Sequence, residues 1–328
     1  MALMPHMRDA KSDDESDEAN DWLPEIIVEE SHFPASLFGY QFALDIAQDA
    51  NFQQLLRNLN SLEIYCDAPH ESFYEPTSSC CIDVSIEEAF SSPQKISTRR
   101  PLETSNNRQI TLRTLKRMWC RLVAHYFEWV AGVPELRLMD AQQRIKLVTR
   151  QLCKIICLVV SFWTYQRGDE GIFFGSGLSF YPKEEHDHVL SNYLTALANV
   201  IQSHVVTTFQ QIGVTREEYL LLKLVALFEH ALTIAALHVR FPLADGLIVE
   251  NALTKYRTAM VNHIKYSNPQ LDHEAVMTRI STLFGVVPYL ELLSELDNMH
   301  LTNLIMRNNG DMQGRLTNEI HVNSLRID

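Results

Sequence analysis

The sequence predicts an all-α domain, a three-layer antiparallel helical sandwich carrying one small β-hairpin. Three observations lead there. Apolar residues recur at helical spacing through most of the chain, with start and stop signals between the runs. Two runs are apolar on nearly every side, the pattern of helices buried between outer layers. The 328 residues hold only 11 glycines and 12 prolines, too few for a turn-rich all-β fold. An apolar content of 46% and a mean hydropathy of −0.11 fit a globular chain with a sizeable core.

Taken in order, residues 1–35 read as a disordered acidic tail. Ten of the 41 acidic residues fall in residues 1–30, against only Arg8 and Lys11. Asp13-Asp14-Glu15-Ser16-Asp17 spells the D-D-x-x-D pattern of some magnesium sites, but a tail offers no rigid helix to hold the carboxylates. The body, 36–328, is expected to form one mildly acidic domain. Such a surface does not favour a phosphate backbone, so direct nucleic-acid binding by this chain is not expected.

A helical period runs from Ser36 to Ile64. Residues 66–110 are loop-rich, with Pro69, Pro76, Pro93 and Pro101. They enclose a short helix from Val84 to Phe90, where Ser85 and Glu88 form a capping box. Thr111 or a neighbour starts a long helix whose stripe is Leu112, Leu115, Trp119, Leu122, Val123, Tyr126 and Phe127. Gly132 and Pro134 end it near Ala131. Met139 to about Tyr165 begins amphipathic and becomes apolar all round. Glycines 171, 175 and 177 then flank two aromatic-rich pieces, which read as a hairpin.

Asp187 to Gln210 is helical. Thr215 and Glu218 box the start of an almost wholly apolar run, Tyr219 to Leu237. Ala244 to Tyr266 is amphipathic. His273 to about Leu301 is long, with a kink expected at Pro288. A polar stretch with Gly310 and Gly314 leads to a last short helix, Leu316 to Leu325. The most apolar segment, Ile155 to Tyr165, is about half the roughly 20 residues a membrane span needs, so no membrane partner is expected.

No catalytic constellation emerges: H-E-x-x-H, G-x-S-x-G and G-x-x-x-x-G-K-[ST] are all missing, and an enzyme is not expected. The six cysteines, Cys66, Cys80, Cys81, Cys120, Cys153 and Cys157, lack zinc-site spacing. Residues 1–25 hold no apolar core of a signal peptide, so the thiols read as reduced and intracellular. His186-Asp187-His188 point in different directions on a helix and read as a helix start. His230 reads as a core histidine. No metal or cofactor is expected.

Four ordered segments resemble the ligand-binding domain of nuclear hormone receptors, in particular the expanded nematode group. They are Trp129-Val130-Ala131-Gly132-Val133-Pro134-Glu135-Leu136-Arg137 through Leu147, Phe173-Phe174-Gly175-Ser176-Gly177, Thr215 through Phe228, and Tyr256–Tyr266 with Asn268-Pro269 and Arg279 through Pro288. Ser85–Phe90 and Arg99-Arg100-Pro101-Leu102 resemble the same group. The resemblance covers roughly residues 36–300.

It implies a nuclear, ligand-responsive regulator of transcription. A cavity for a lipid-like apolar molecule would lie under the hairpin, lined by Leu115, Trp119, Leu122, Cys153, Ile156, Cys157, Val160 and Phe173. It also implies that Glu319, in Leu316-Thr317-Asn318-Glu319-Ile320-His321, caps a coactivator helix. A homo- or heterodimer would form through 273–301.

Two departures stand out. Ala131 replaces the lysine that grips the other end of that coactivator helix. Gln143-Arg144 replaces an Asp-Gln pair. Recruitment of coregulator helices is therefore expected to be weak. No eight-cysteine zinc module for DNA lies in residues 1–35. The alternative reading is a ligand-independent helical dimerisation or scaffold domain with a filled core.

Overall fold

The computed structural model describes residues 50–68, 80–99, 108–168, 170–184, 187–229 and 241–323, all within one unit spanning 41–328. The expected acidic tail, and the first helix before Ala50, lie outside the described residues.

Among the described residues the architecture is mostly helical. Helix α1 is Ala50–Asp67, α2 is Ile86–Ser91, α3 is Leu112–Ala131 and α4 is Ala141–Arg167. Then come α5, His188–Val200, α6, Thr207–Ile212, α7, Arg216–Phe228, and α8, Leu243–Ser267. Helices α9, His273–Phe284, and α10, Val287–Met306, precede a final turn α11, Arg315–Thr317. Helix α4 touches α3, α7 and α10, while α1 packs on α3 and α7, and α8 on α7. So α1 and α3 form one outer layer, α4 and α7 the inner one, and α10 the layer behind: the expected helical sandwich.

Local chemistry sets these boundaries. Asp140 starts α4 by accepting from the backbone N–H of Gln142 and Gln143, and Gly168, at φ 75°, stops it in the left-handed region. At α7 the capping box is reciprocal. Thr215 Oγ1 accepts from Glu218 N at 3.2 Å, and Glu218 Oε2 accepts from Thr215 N at 2.8 Å. The expected short helix near residue 86 also begins as read, with Ser85 accepting from Glu88 N.

Five features differ from the sequence reading. The hairpin of β2, Ile172–Phe173, and β3, Leu178–Phe180, gains a third strand: β1, Arg108–Gln109, runs parallel to β3. A π-helical turn, Ile201–Val206, joins α5 to α6, so that run reaches Ile212. Helix α7 ends at Phe228, where Glu229 turns extended; the rest of the expected run, 230–237, and His230 with it, lie outside the described residues.

The expected kink at Pro288 is a break. Gly285 and Val286 separate α9 from α10, and Pro288 sits in the first turn of α10, where its missing N–H costs nothing. By length and hydropathy, 273–306 could cross a bilayer, yet Val276, Ile280, Leu283, Leu290, Leu293 and Leu301 are buried in this fold. The last helix is one α turn continued by a π turn, Asn318–Val322.

Candidate functional site

Helices α3 and α4 cross under the three-stranded sheet and enclose a cavity against α5 and α10. Of the eight residues expected to line it, Trp119, Leu122, Ile156, Cys157 and Val160 do. The other three are buried elsewhere. Leu115 lies against Gly310, Cys153 hydrogen-bonds Asp297, and Phe173 packs beneath the Arg167 guanidinium, 4.9 Å from its ring centre. Met118, Phe174, Tyr193, Leu301 and Asp297 complete much of the wall and were not singled out from sequence. The free space is about 30 Å³, room for roughly two water-sized molecules.

Among the described residues, Asp297 is the one carboxylate in this wall. It is buried, and its Oδ1 accepts from the Tyr193 hydroxyl at 2.5 Å. Burial pushes its pKa up to about 6, against hydrogen bonds from Tyr193 and Cys153 that pull it down. Burial likewise raises the Tyr193 hydroxyl and the Cys153 and Cys157 thiols well above their ordinary values, so all three stay protonated donors. A sequence signal for Asp297 existed. It is the single acidic position in the buried stripe Leu290, Leu293, Asp297, Leu301, Leu304 of α10.

The cavity wall continues into the C-terminal turn. The Trp119 indole N–H donates to His321 Nε2 at 3.1 Å, and His321 Nδ1 faces Asn298 Oδ1 at 2.8 Å. An indole only donates, so Nε2 must accept and Nδ1 must carry the proton. His321 has no exposed surface, and burial lowers its pKa to about 3. The neutral ring therefore ties the last turn to α3 and α10.

Glu319, on that same turn, is part-buried and engages Ile86 and Arg315. Ala131 is exposed at the end of α3, and the Arg144 guanidinium lies over the Phe90 ring. Asp187 accepts from Val189 N and starts α5, as its place in the sequence suggests.

Glu63, Asp67 and His125 bring three potential metal ligands within 4.8 Å of one another. Their protons are already placed. Lys223 donates to both Glu63 oxygens at 3.0 Å, Tyr219 donates to Oε1 at 2.8 Å, and His125 Nε2 pairs with Asp67 at 2.9 Å. The Glu63 carboxylate is thus already paired with an ammonium. The cluster works as an internal tie between α1, α3 and α7.

An inner helix layer, an apolar cavity beneath a small sheet and a C-terminal turn bonded to the cavity wall define a helical sandwich of the receptor type. The chain belongs to the nuclear hormone receptor ligand-binding domain family, whose model, described as the ligand-binding domain of nuclear hormone receptor, matches residues 102–302. It is 23% identical to nuclear hormone receptor family member nhr-4 of Caenorhabditis elegans over 225 residues, 68% of this chain and 44% of that protein. It is 20% identical to family member nhr-100 of the same organism over 225 residues, 66% of this chain and 49% of that protein. The chain thus spans less than half the length of these curated relatives. Regulation of transcription follows at the level of the family, which is generally nuclear and non-enzymatic.

Proposed function

We propose that the chain is a ligand-responsive regulator of transcription whose cavity takes a small, lipid-like molecule. The observation that carries this reading is the cavity wall itself. Its apolar surface meets one polar pair, Asp297 and Tyr193, and Trp119 connects it to the C-terminal turn. An apolar body bearing one hydroxyl or amine fits that wall. Drug-sized ligands need roughly ten times the present free space or more, so binding must expand the cavity, with α5 or the sheet giving way. Coregulator helices would dock beside Glu319, weakly, because Ala131 supplies no cation at the far end. Dimerisation would use 273–301, where Met277, Leu292 and Met299 are exposed.

A filled-core scaffold that dimerises without ligand is the second reading, and the small free space favours it. Native mass spectrometry after incubation with long-chain fatty acids and sterols separates the two. The sensor reading expects a one-to-one lipid adduct, lost when Cys157→Trp fills the cavity. A folded chain that takes up none of the probes, with a melting temperature unmoved by them, would leave the scaffold reading standing.

A further inference from the structure

Glu319 uses one oxygen on a helix of its own chain. Its Oε2 accepts from the backbone N–H of Ile86 at 2.7 Å, while Oε1 accepts from Arg315 Nε at 2.8 Å. Ile86 is the first residue of α2, whose leading N–H groups have no partner within the helix and attract a carboxylate. Two further contacts fix this arrangement. Leu316 N–H donates to Ile82 O at 2.8 Å, and Gly314 lies so close that a Cβ there would stand 2.4 Å from the Ile82 side chain. The last turn holds α2 in the way it would hold a separate helix lying in a groove.

The groove is formed by two helices. Helix α2 lies against α3 and α4. Its apolar residues, Ile86, Ala89 and Phe90, are spaced i, i+3, i+4, the pattern by which an amphipathic helix enters an apolar groove. Ala89 has no exposed surface. Phe90 meets the Phe127 ring of α3 edge-on, centroids 5.9 Å apart, and the Arg144 guanidinium of α4 sits 5.4 Å from its ring centre. At the far end no cation is needed: Ser92 N–H donates to Glu88 O, and Pro93 follows directly.

We infer that α2 is a tethered stand-in for a partner helix, filling the seat between α3, α4 and the last turn, so that a coregulator helix binds only by displacing it. This rests on the reading above that the seat takes partner helices. A tethered competitor acts at an effective concentration on the order of millimolar, so it lowers the apparent affinity of any free helix.

The test is binding of a fluorescent Leu-x-x-Leu-Leu peptide to the full chain and to two release variants, Ala89→Asp and Phe90→Ala. Both remove an apolar anchor of α2 and leave the groove walls intact. Each release variant is expected to bind at least about tenfold more tightly than the unaltered chain, and adding Glu319→Ala should abolish the gain. Equal, tight binding by all three would overturn the inference while leaving the groove reading intact. No binding by folded release variants would overturn the groove reading and the inference with it. If the release variants fail to fold, hydrogen exchange on the unaltered chain decides. Protection at residues 89–92 that falls as peptide is added supports displacement, and unchanged protection overturns it.

Discussion

The Trp119 indole donates to His321 Nε2 across 3.1 Å, so one hydrogen bond joins the cavity wall to the turn that carries Glu319. A ligand that moves Trp119 must stretch this bond or carry His321 with it. Replacing His321 by Leu leaves a buried N–H unpaired, at a cost of about 1–3 kcal/mol. The expected outcome is faster hydrogen exchange over 315–322 with little change in α4. His321→Gln, which can still accept, should retain part of the protection.

Acid should loosen the same turn. The folded chain binds no proton on His321 until about pH 3, whereas an unfolded histidine takes one near 6.5. The stabilising contribution is therefore complete above pH 6.5 and is lost as pH falls toward 3. At pH 4.5 the loss amounts to about 2–3 kcal/mol. Exchange at 315–322 should rise over this window in the unaltered chain and stay flat in His321→Leu.

Asp297 works in the opposite direction. Its folded pKa of about 6 lies above the ordinary 3.8, so its cost is nil at pH below 3.8 and grows until pH passes 6. Above that, the buried charge opposes folding by something on the order of 3 kcal/mol. Asp297→Asn keeps an acceptor for the Tyr193 hydroxyl and removes the charge. Its melting temperature should exceed that of the unaltered chain at pH 8, with the gap closing by pH 4. Equal melting curves at pH 8 would mean that the carboxylate is solvated in a way this wall does not suggest.

Lys223 and Glu63 are each only 1% exposed at their side chains, so neither can be relieved by water once its partner is gone. Lys223→Met alone should cost about 3–5 kcal/mol, because it strands a buried carboxylate. Combining it with Glu63→Leu should recover most of that loss, since the pair goes together and only the Tyr219 hydroxyl loses its acceptor. Denaturant melts of the two single variants and the double measure the coupling directly.

Gly314 has an extended backbone, φ −165°, and its importance is space: a Cβ would stand within 3.0 Å of Ile82 main chain as well as side chain. Gly314→Ala should push the last turn off Ile82, four residues ahead of α2, at a cost of about 1–3 kcal/mol. Limited proteolysis is the readout, with new cleavage expected after residue 307. An unaltered digestion pattern would show that Ile82 yields instead.

Cys80 should be the most readily alkylated of Cys80, Cys120, Cys153 and Cys157. It is half-buried, its sulfur lies 2.8 Å from that of Cys120, and the Cys120 hydrogen bond lowers its pKa. The other three are buried and raised. Mass spectrometry after brief iodoacetamide treatment at neutral pH gives the order.

Much of the helical frame was legible because its signals are local. Ser85, Thr215 and Gly132 act on the residues beside them, and the apolar spacing of α3 and α4 follows from one helix at a time. The cavity wall was partly legible for the same reason: Trp119 and Cys157 lie on obvious apolar faces. Asp297 was not read because a lone acid on an apolar stripe looks like a helix edge until α5 delivers Tyr193. The contact from Glu319 to Ile86 was invisible, since no local pattern links residues 233 apart. The break at Gly285 read as a kink because Pro288 could be placed inside a helix or at its start, and only packing decides.

That separation of 233 residues carries a consequence for how the chain is made. Synthesis delivers α2 long before its cap, and closing so large a loop is entropically slow to begin. Until the turn that carries Glu319 emerges, α2, with its apolar edge of Ile86, Ala89 and Phe90, lacks the carboxylate that caps its start. Nascent chains would then present this apolar edge to chaperones, and a stop codon before residue 314 would make that exposure permanent.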